Sequence, residues 1–184
     1  MKLRHLLFLL LSTVPALATA LLPGNECVPN TLARLGELYG GQVTPRQFSA
    51  LFDSPSKPTS ITNIYPTWTK MYPRLKLQCV YSPPTDKDNN SDDPNYRKFM
   101  LTVMEFQKDF PQVDAPLKYG HKYLWIGIIP KAGMHCCLVR FDKEAKTVTL
   151  THSQLTRDGK YYETSMSFDQ FFGLTVAVID VVPQ

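Results

Sequence analysis

Cys27-Val28-Pro29-Asn30-Thr31-Leu32-Ala33-Arg34-Leu35, followed by Tyr39-Gly40-Gly41, is the stretch on which the reading of the chain turns. Leu32, Leu35 and either Leu38 or Tyr39 recur at three- and four-residue spacing, the period of one helix face. Pro29 falls in the first turn, where its missing N–H is tolerated. Gly40-Gly41 supplies the stop, and Asn25 is placed to cap the start. The spacing therefore predicts a helix over 27–39 with Cys27 at its beginning. A helix start carries partial positive charge and unpaired N–H groups. Both favour a thiolate, the nucleophilic form of cysteine, and the same N–H groups can hold an oxyanion as it develops on a carbonyl.

Working outward, Thr44-Pro45 reads as an N-cap with proline at the first helical position, opening a short helix whose stripe is Phe48, Leu51 and Phe52. A third helix is expected from Thr59 or Ser60 through Ile61, Ile64, Trp68 and Met71, with Pro66 bending or interrupting it. Leu75–Tyr81 alternates as a strand, 83–95 is a polar loop, and Tyr96–Phe106 returns to helical period. Beyond it the chain turns β-rich. Tyr123–Ile129 is a dense apolar run of the kind found in buried strands. His135–Phe141 and Thr147–Thr151 form a hairpin around Asp142-Lys143-Glu144-Ala145. A short strand at Tyr161-Tyr162, a Ser167-capped helix with Phe168, Phe171 and Phe172, and a β-branched strand over Thr175–Val182 complete it. Helices first and an antiparallel sheet after them make an α+β domain.

The chain begins with an address. Lys2, Arg4 and His5 precede the apolar run Leu6–Leu11, and Ala18-Thr19-Ala20 has the small-x-small form of a signal-peptidase site. Residues 1–20 are thus expected to be a cleaved signal peptide and 21–184 a single exported domain, secreted or periplasmic. The apolar run is far short of the ~20 residues that span a bilayer, so no stable membrane insertion is expected after cleavage. A net charge of +4, evenly spread, excludes a dedicated nucleic-acid binder. Fifteen prolines against nine glycines argue for a loop-rich domain rather than a helical bundle. Export also bears on Cys27, Cys79, Cys136 and Cys137, because thiols outside the cytosol tend to pair. A structural half-cystine is the competing reading of Cys27. Of Cys136 and Cys137, one is expected in the core and the other bridged to Cys79 or free.

A thiol nucleophile needs a base. His135 follows the Lys131-Ala132-Gly133-Met134 turn and opens a strand, a position where a side chain is both held and accessible. His152 lies near the end of the next strand, and His121 has no partner evident in the sequence.

These residues resemble the C39-like, papain-fold cysteine peptidases. In that family a nucleophile-bearing helix of the form Cys-Gly-Pro-x-x-Leu ends in an aromatic residue and glycine, as Cys27 to Gly41 nearly does. Val43-Thr44-Pro45 with Phe48 and Leu51 is similar to the family's short second helix, Gly133-Met134-His135 to its histidine strand, and Ser167 to Phe172 to its last helix. The resemblance implies a papain-like fold with N-terminal helices packed on a C-terminal antiparallel sheet. It implies that the Cys27 thiolate attacks an amide or ester carbonyl while His135 takes and returns the proton. The oxyanion would sit on the Cys27 N–H and the Asn25 side chain. No metal and no organic cofactor is implied. Val28 stands where the family has glycine, no glutamine lies between Leu21 and Cys27, and the third catalytic position falls on His152, Ser153 or Gln154 instead of aspartate. The expected function is an exported cysteine peptidase or related amide hydrolase acting on a peptide or protein substrate. The alternative is an inactive papain-like domain, or a disulfide-bonded exported domain, that binds a peptide or protein partner.

Two metal motifs fail on spacing. Asp86-Lys87-Asp88-Asn89-Asn90-Ser91-Asp92 alternates like an EF-hand loop, but Ser91 replaces the glycine and Arg97 the closing glutamate. Asn89-Asn90-Ser91 matches a glycosylation acceptor in a eukaryotic setting. His135, Cys136 and Cys137 cannot easily converge on one ion, because neighbouring strand residues point to opposite faces.

Overall fold

The computed structural model describes residues 27–52, 63–85, 94–129, 133–155 and 158–184. The expected signal peptide, Asn25, the start of the third helix, the acidic loop and its glycosylation acceptor lie outside the described residues.

The elements in chain order are α1 (Cys27–Glu37), α2 (Pro45–Ser49), α3 (Ile64–Met71), β1 (Leu75–Tyr81), α4 (Pro94–Asp109), β2 (Lys122–Ile129), β3 (Gly133–Asp142), β4 (Thr147–Leu155), β5 (Tyr161–Ser167), α5 (Phe168–Leu174) and β6 (Thr175–Pro183). Among the described residues six strands form one antiparallel sheet in the order β1-β6-β2-β3-β4-β5. Helices and strands interleave as the element order read from the sequence has them. β1 precedes α4, and α5 lies between β5 and β6. The last strand slots between β1 and β2, so the sheet closes only when the C-terminus is in place.

Local chemistry sets the element ends. α1 stops where Gly40 adopts φ +76°, a conformation that costs glycine nothing, and the Gly41 N–H returns to the Gly36 carbonyl at 2.9 Å. Thr44 and Gln47 form a reciprocal capping box on α2, and Ser167 and Gln170 form another on α5. Pro66 does not interrupt the described helix. It is the third residue of α3, within the first turn, where backbone N–H groups have no intrahelical partner to lose.

The sheet separates two cores. On one face α1 buries Val28, Leu32 and Leu35 against Leu124, Ile126, Cys136, Leu138, Ala177 and Ile179, joined by Phe48, Trp68 and Phe106. On the other face Tyr123, Trp125, Cys137, Val139, Phe141 and Val148 pack against Phe171 and Leu174 of α5. Both tryptophans are fully buried, and each indole N–H finds a partner. Trp68 donates to the Leu75 carbonyl at 2.9 Å and Trp125 to Thr175 Oγ1 at 2.8 Å. α4 is anchored through Gln107, whose side-chain amide donates to Ser82 Oγ and to the Pro83 carbonyl. Among the described residues no helix is long and apolar enough to cross a membrane.

Candidate functional site

Cys27 sits half-buried at the first residue of α1, as the sequence pattern requires. The helix is tied to β3 beneath it, since Thr31 Oγ1 donates to the Cys136 carbonyl at 3.1 Å. It is tied to the sheet's far edge by the Arg34 guanidinium, 3.3 Å above the centre of the Tyr161 ring. Burial pushes the Cys27 thiol above its usual range. Backbone hydrogen bonds from Cys136, Val28 and Cys27 itself pull the other way and are outweighed. The helix-start effect is therefore present and smaller than the cost of desolvating a thiolate.

β3 alternates strictly beyond this point. Cys136 and Leu138 face α1, while Cys137 and Val139 face the second core. His135 shares the Cys137 side, so the strand separates it from Cys27. Among the described residues no hydrogen bond joins Cys27 to His135.

His135 is instead joined to His152. Nε2 of His135 lies 3.1 Å from Nδ1 of His152, with the rings 5.2 Å apart. His152 is fully buried; its Nε2 lies 2.8 Å from Thr164 Oγ1 and its ring packs tilted against Tyr162 with centroids 5.3 Å apart. The register explains the meeting. Leu138 pairs with Thr151, and β4 then carries two more residues than β5 between the pairs Thr151–Glu163 and Leu155–Tyr161. His152 opens that bulge, a device that re-aims side chains next to functional sites. Burial pushes His135 down to about 4, and burial followed by the neighbouring His135 pushes His152 down to about 4. Both rings are neutral at pH 7.

Cys137 completes the group. Its sulfur and the ring nitrogens of His135 and His152 all lie within 4.8 Å of one another. Adjacent residues of the strand do diverge as expected, since Cys136 points away. The convergent set is a different one: the i, i+2 pair His135 and Cys137 shares a strand face, and His152 joins it from the partnered strand. Its signal in the sequence is His-x-Cys on one strand of a hairpin with a histidine on the other.

All four cysteines are free thiols, so no bridge joins Cys79 to Cys136 or Cys137. Cys79 and Cys136 belong to the α1-side core and Cys137 to the opposite one. His121 does have a partner, Asp180 Oδ1 at 2.7 Å, in a pair partly open to solvent on the histidine side. No family model, curated protein or solved structure matches the chain.

Proposed function

We propose that the chain is an exported papain-like domain that binds a peptide or protein partner and does no thiolate chemistry at Cys27. The papain-like part rests on element order: a cysteine-led helix packed on a hairpin whose first strand carries histidine as its third residue, closed by a capped helix and a last strand. The observation that carries the functional part is the separation of thiol from imidazole by β3. Cys27 lies on the Cys136 side, and His135 lies on the Cys137 side in contact with His152. The directions of the two pKa shifts agree with it. A buried thiol shifted up and an imidazole shifted down remain SH and neutral ring at pH 7, the reverse of the ion pair that arms a cysteine hydrolase.

The test is alkylation of each cysteine by limiting iodoacetamide between about pH 5 and 9, read by peptide mass spectrometry. The expected result is that Cys27 reacts no faster than an ordinary thiol and gains rate only in alkali. Rapid alkylation near pH 6 that slows in His135→Ala would replace this reading with the hydrolase.

A second reading, an exported cysteine peptidase or amide hydrolase, has its own support. Cys27 heads a helix with backbone hydrogen bonds at its sulfur, and His152 holds one nitrogen of His135 as a third catalytic residue would. On that reading Cys27 attacks the carbonyl, His135 shuttles the proton, and water releases the acyl group.

A further inference from the structure

We propose that His135, Cys137 and His152 form a three-ligand site for a soft divalent cation of the zinc class, with a fourth position open at the mouth of β3. Cys27 is not among the ligands and packs with the other face of the sheet, although a charge on it is felt at Cys137.

The donor set selects the ion. Two imidazoles and one thiolate, with no carboxylate among them, suit zinc and its neighbours and not calcium or magnesium. The dimensions agree. Zinc–nitrogen bonds of about 2.0–2.1 Å and a zinc–sulfur bond of about 2.3 Å put tetrahedral ligand edges at about 3.3–3.6 Å. The His135–His152 nitrogen pair is already at 3.1 Å, and no ligand pair exceeds 4.8 Å.

The supports around the ligands match what a metal needs. Thr164 Oγ1 lies 2.8 Å from His152 Nε2; with the hydroxyl oxygen as acceptor, Nε2 keeps the proton and Nδ1 turns its lone pair into the cluster. Hydrogen-bonded partners of this kind fix tautomer and ring orientation in metal sites. Tyr162 packs against the same ring, tilted by 32°. Cys137 and His152 are fully buried, whereas His135 is half-buried beside the exposed Met134. Two ligands are therefore anchored in the core and the third stands where an ion can arrive.

Binding balances simply. The two rings are neutral and offer lone pairs. In the tautomer in which His135 Nε2 donates to His152 Nδ1, that proton moves to Nδ1 of the His135 ring as the metal takes its place. The Cys137 S–H bond breaks, its proton goes to solvent and a sulfur–metal bond forms. One proton is released per ion bound.

The experiment loads chelator-stripped wild-type protein with Co²⁺ and reads the thiolate-to-cobalt charge-transfer band, then displaces it with Zn²⁺. One equivalent of cobalt, one released proton and a band of single-thiolate intensity are expected. The band should survive Cys27→Ser and Cys136→Ser and vanish in Cys137→Ser. His152→Ala should weaken binding by at least about 100-fold, and Thr164→Val by about 10–100-fold. No charge-transfer band in the wild type, or one abolished by Cys27→Ser and kept by Cys137→Ser, would overturn the site. Should Cys137→Ser not fold, the zinc K-edge spectrum of the wild type decides. One sulfur with two imidazoles supports the site, and a shell without sulfur removes it. Cobalt uptake reports on Cys137 and alkylation on Cys27, so neither result stands in for the other.

Discussion

His135 Nε2 and His152 Nδ1 face one another at 3.1 Å, and the far nitrogen of His152 is held by Thr164 Oγ1 at 2.8 Å. The contact crosses from β3 to β4 at the bulge and leaves no nitrogen of the buried ring unpaired. Removing His152 empties a buried site and strands the Thr164 hydroxyl. His152→Ala should lower metal-free stability by about 2–4 kcal/mol, and Thr164→Val by about 1 kcal/mol. Urea midpoints measure both. A double-mutant cycle of His135→Ala with His152→Ala should return a coupling of at least ~0.5 kcal/mol, the threshold for residues in contact. Simple additivity would mean the pair is not formed.

Gly127 pairs with His135 across β2 and β3. A Cβ at Gly127 would fall 1.9–2.5 Å from the Trp125 indole. That ring has no slack, since its N–H is bonded to Thr175 Oγ1 and its face packs on Phe171. Gly127→Ala should therefore destabilise by about 1–3 kcal/mol, the range for overpacking a core. It should also shift the tryptophan emission as the indole N–H loses its partner. A stable variant with unchanged emission would show that Trp125 can repack.

Much of the fold was legible because its signals are local. Leu75–Tyr81 is a strand with the ends that alternation indicates, and Thr44 and Ser167 cap the helices that follow them. Cys27 heads its helix because Pro29 and Gly40-Gly41 bracket one apolar stripe. What stayed hidden depends on partners far apart in the chain. The place of β6 between β1 and β2 depends on sheet closure. Cys137 joins His135 through a strand face and reaches His152 through a bulge in the β4–β5 register. The separation of Cys27 from His135 is likewise a question of which face of β3 meets α1. A one-residue slip would exchange Cys136 and Cys137 and bring His135 to the helix.

Cys79 gives a test in alkali. Burial pushes its thiol up to about 11, with a weaker opposing hydrogen bond to the Tyr81 backbone. In the unfolded chain the same thiol ionises near its usual 9.0. The folded pKa is the higher one, so the unfolded state loses protons first. The contribution is whole below about pH 9 and drains away as pH rises toward 11. A rise from 9.0 to about 11 corresponds to about 2–3 kcal/mol. The stability difference between wild type and Cys79→Ala should shrink by that order between those limits. A difference independent of pH would mean the thiol ionises as readily folded as unfolded.

The reactivity of Cys27 separates the two proposed functions, and its neighbours set the expectation. Desolvation raises its pKa more than the three backbone hydrogen bonds lower it, and among the described residues no imidazole is in hydrogen-bond contact with the sulfur. A thiol in that state is protonated at pH 7 and gains nucleophilicity only as the solution becomes alkaline. Its alkylation rate at about pH 6 to 7 should fall below that of a free cysteine peptide and rise continuously past about pH 9. Because His135 is turned toward His152, His135→Ala should leave that profile within about twofold, the spread expected of a group that is not coupled. Unfolding in denaturant should accelerate Cys27 to the rate of the peptide. A profile that plateaus below pH 7 in the wild type and loses its plateau in His135→Ala would place the imbalance the other way: backbone and imidazole would then outweigh burial, and the helix start would be an armed nucleophile.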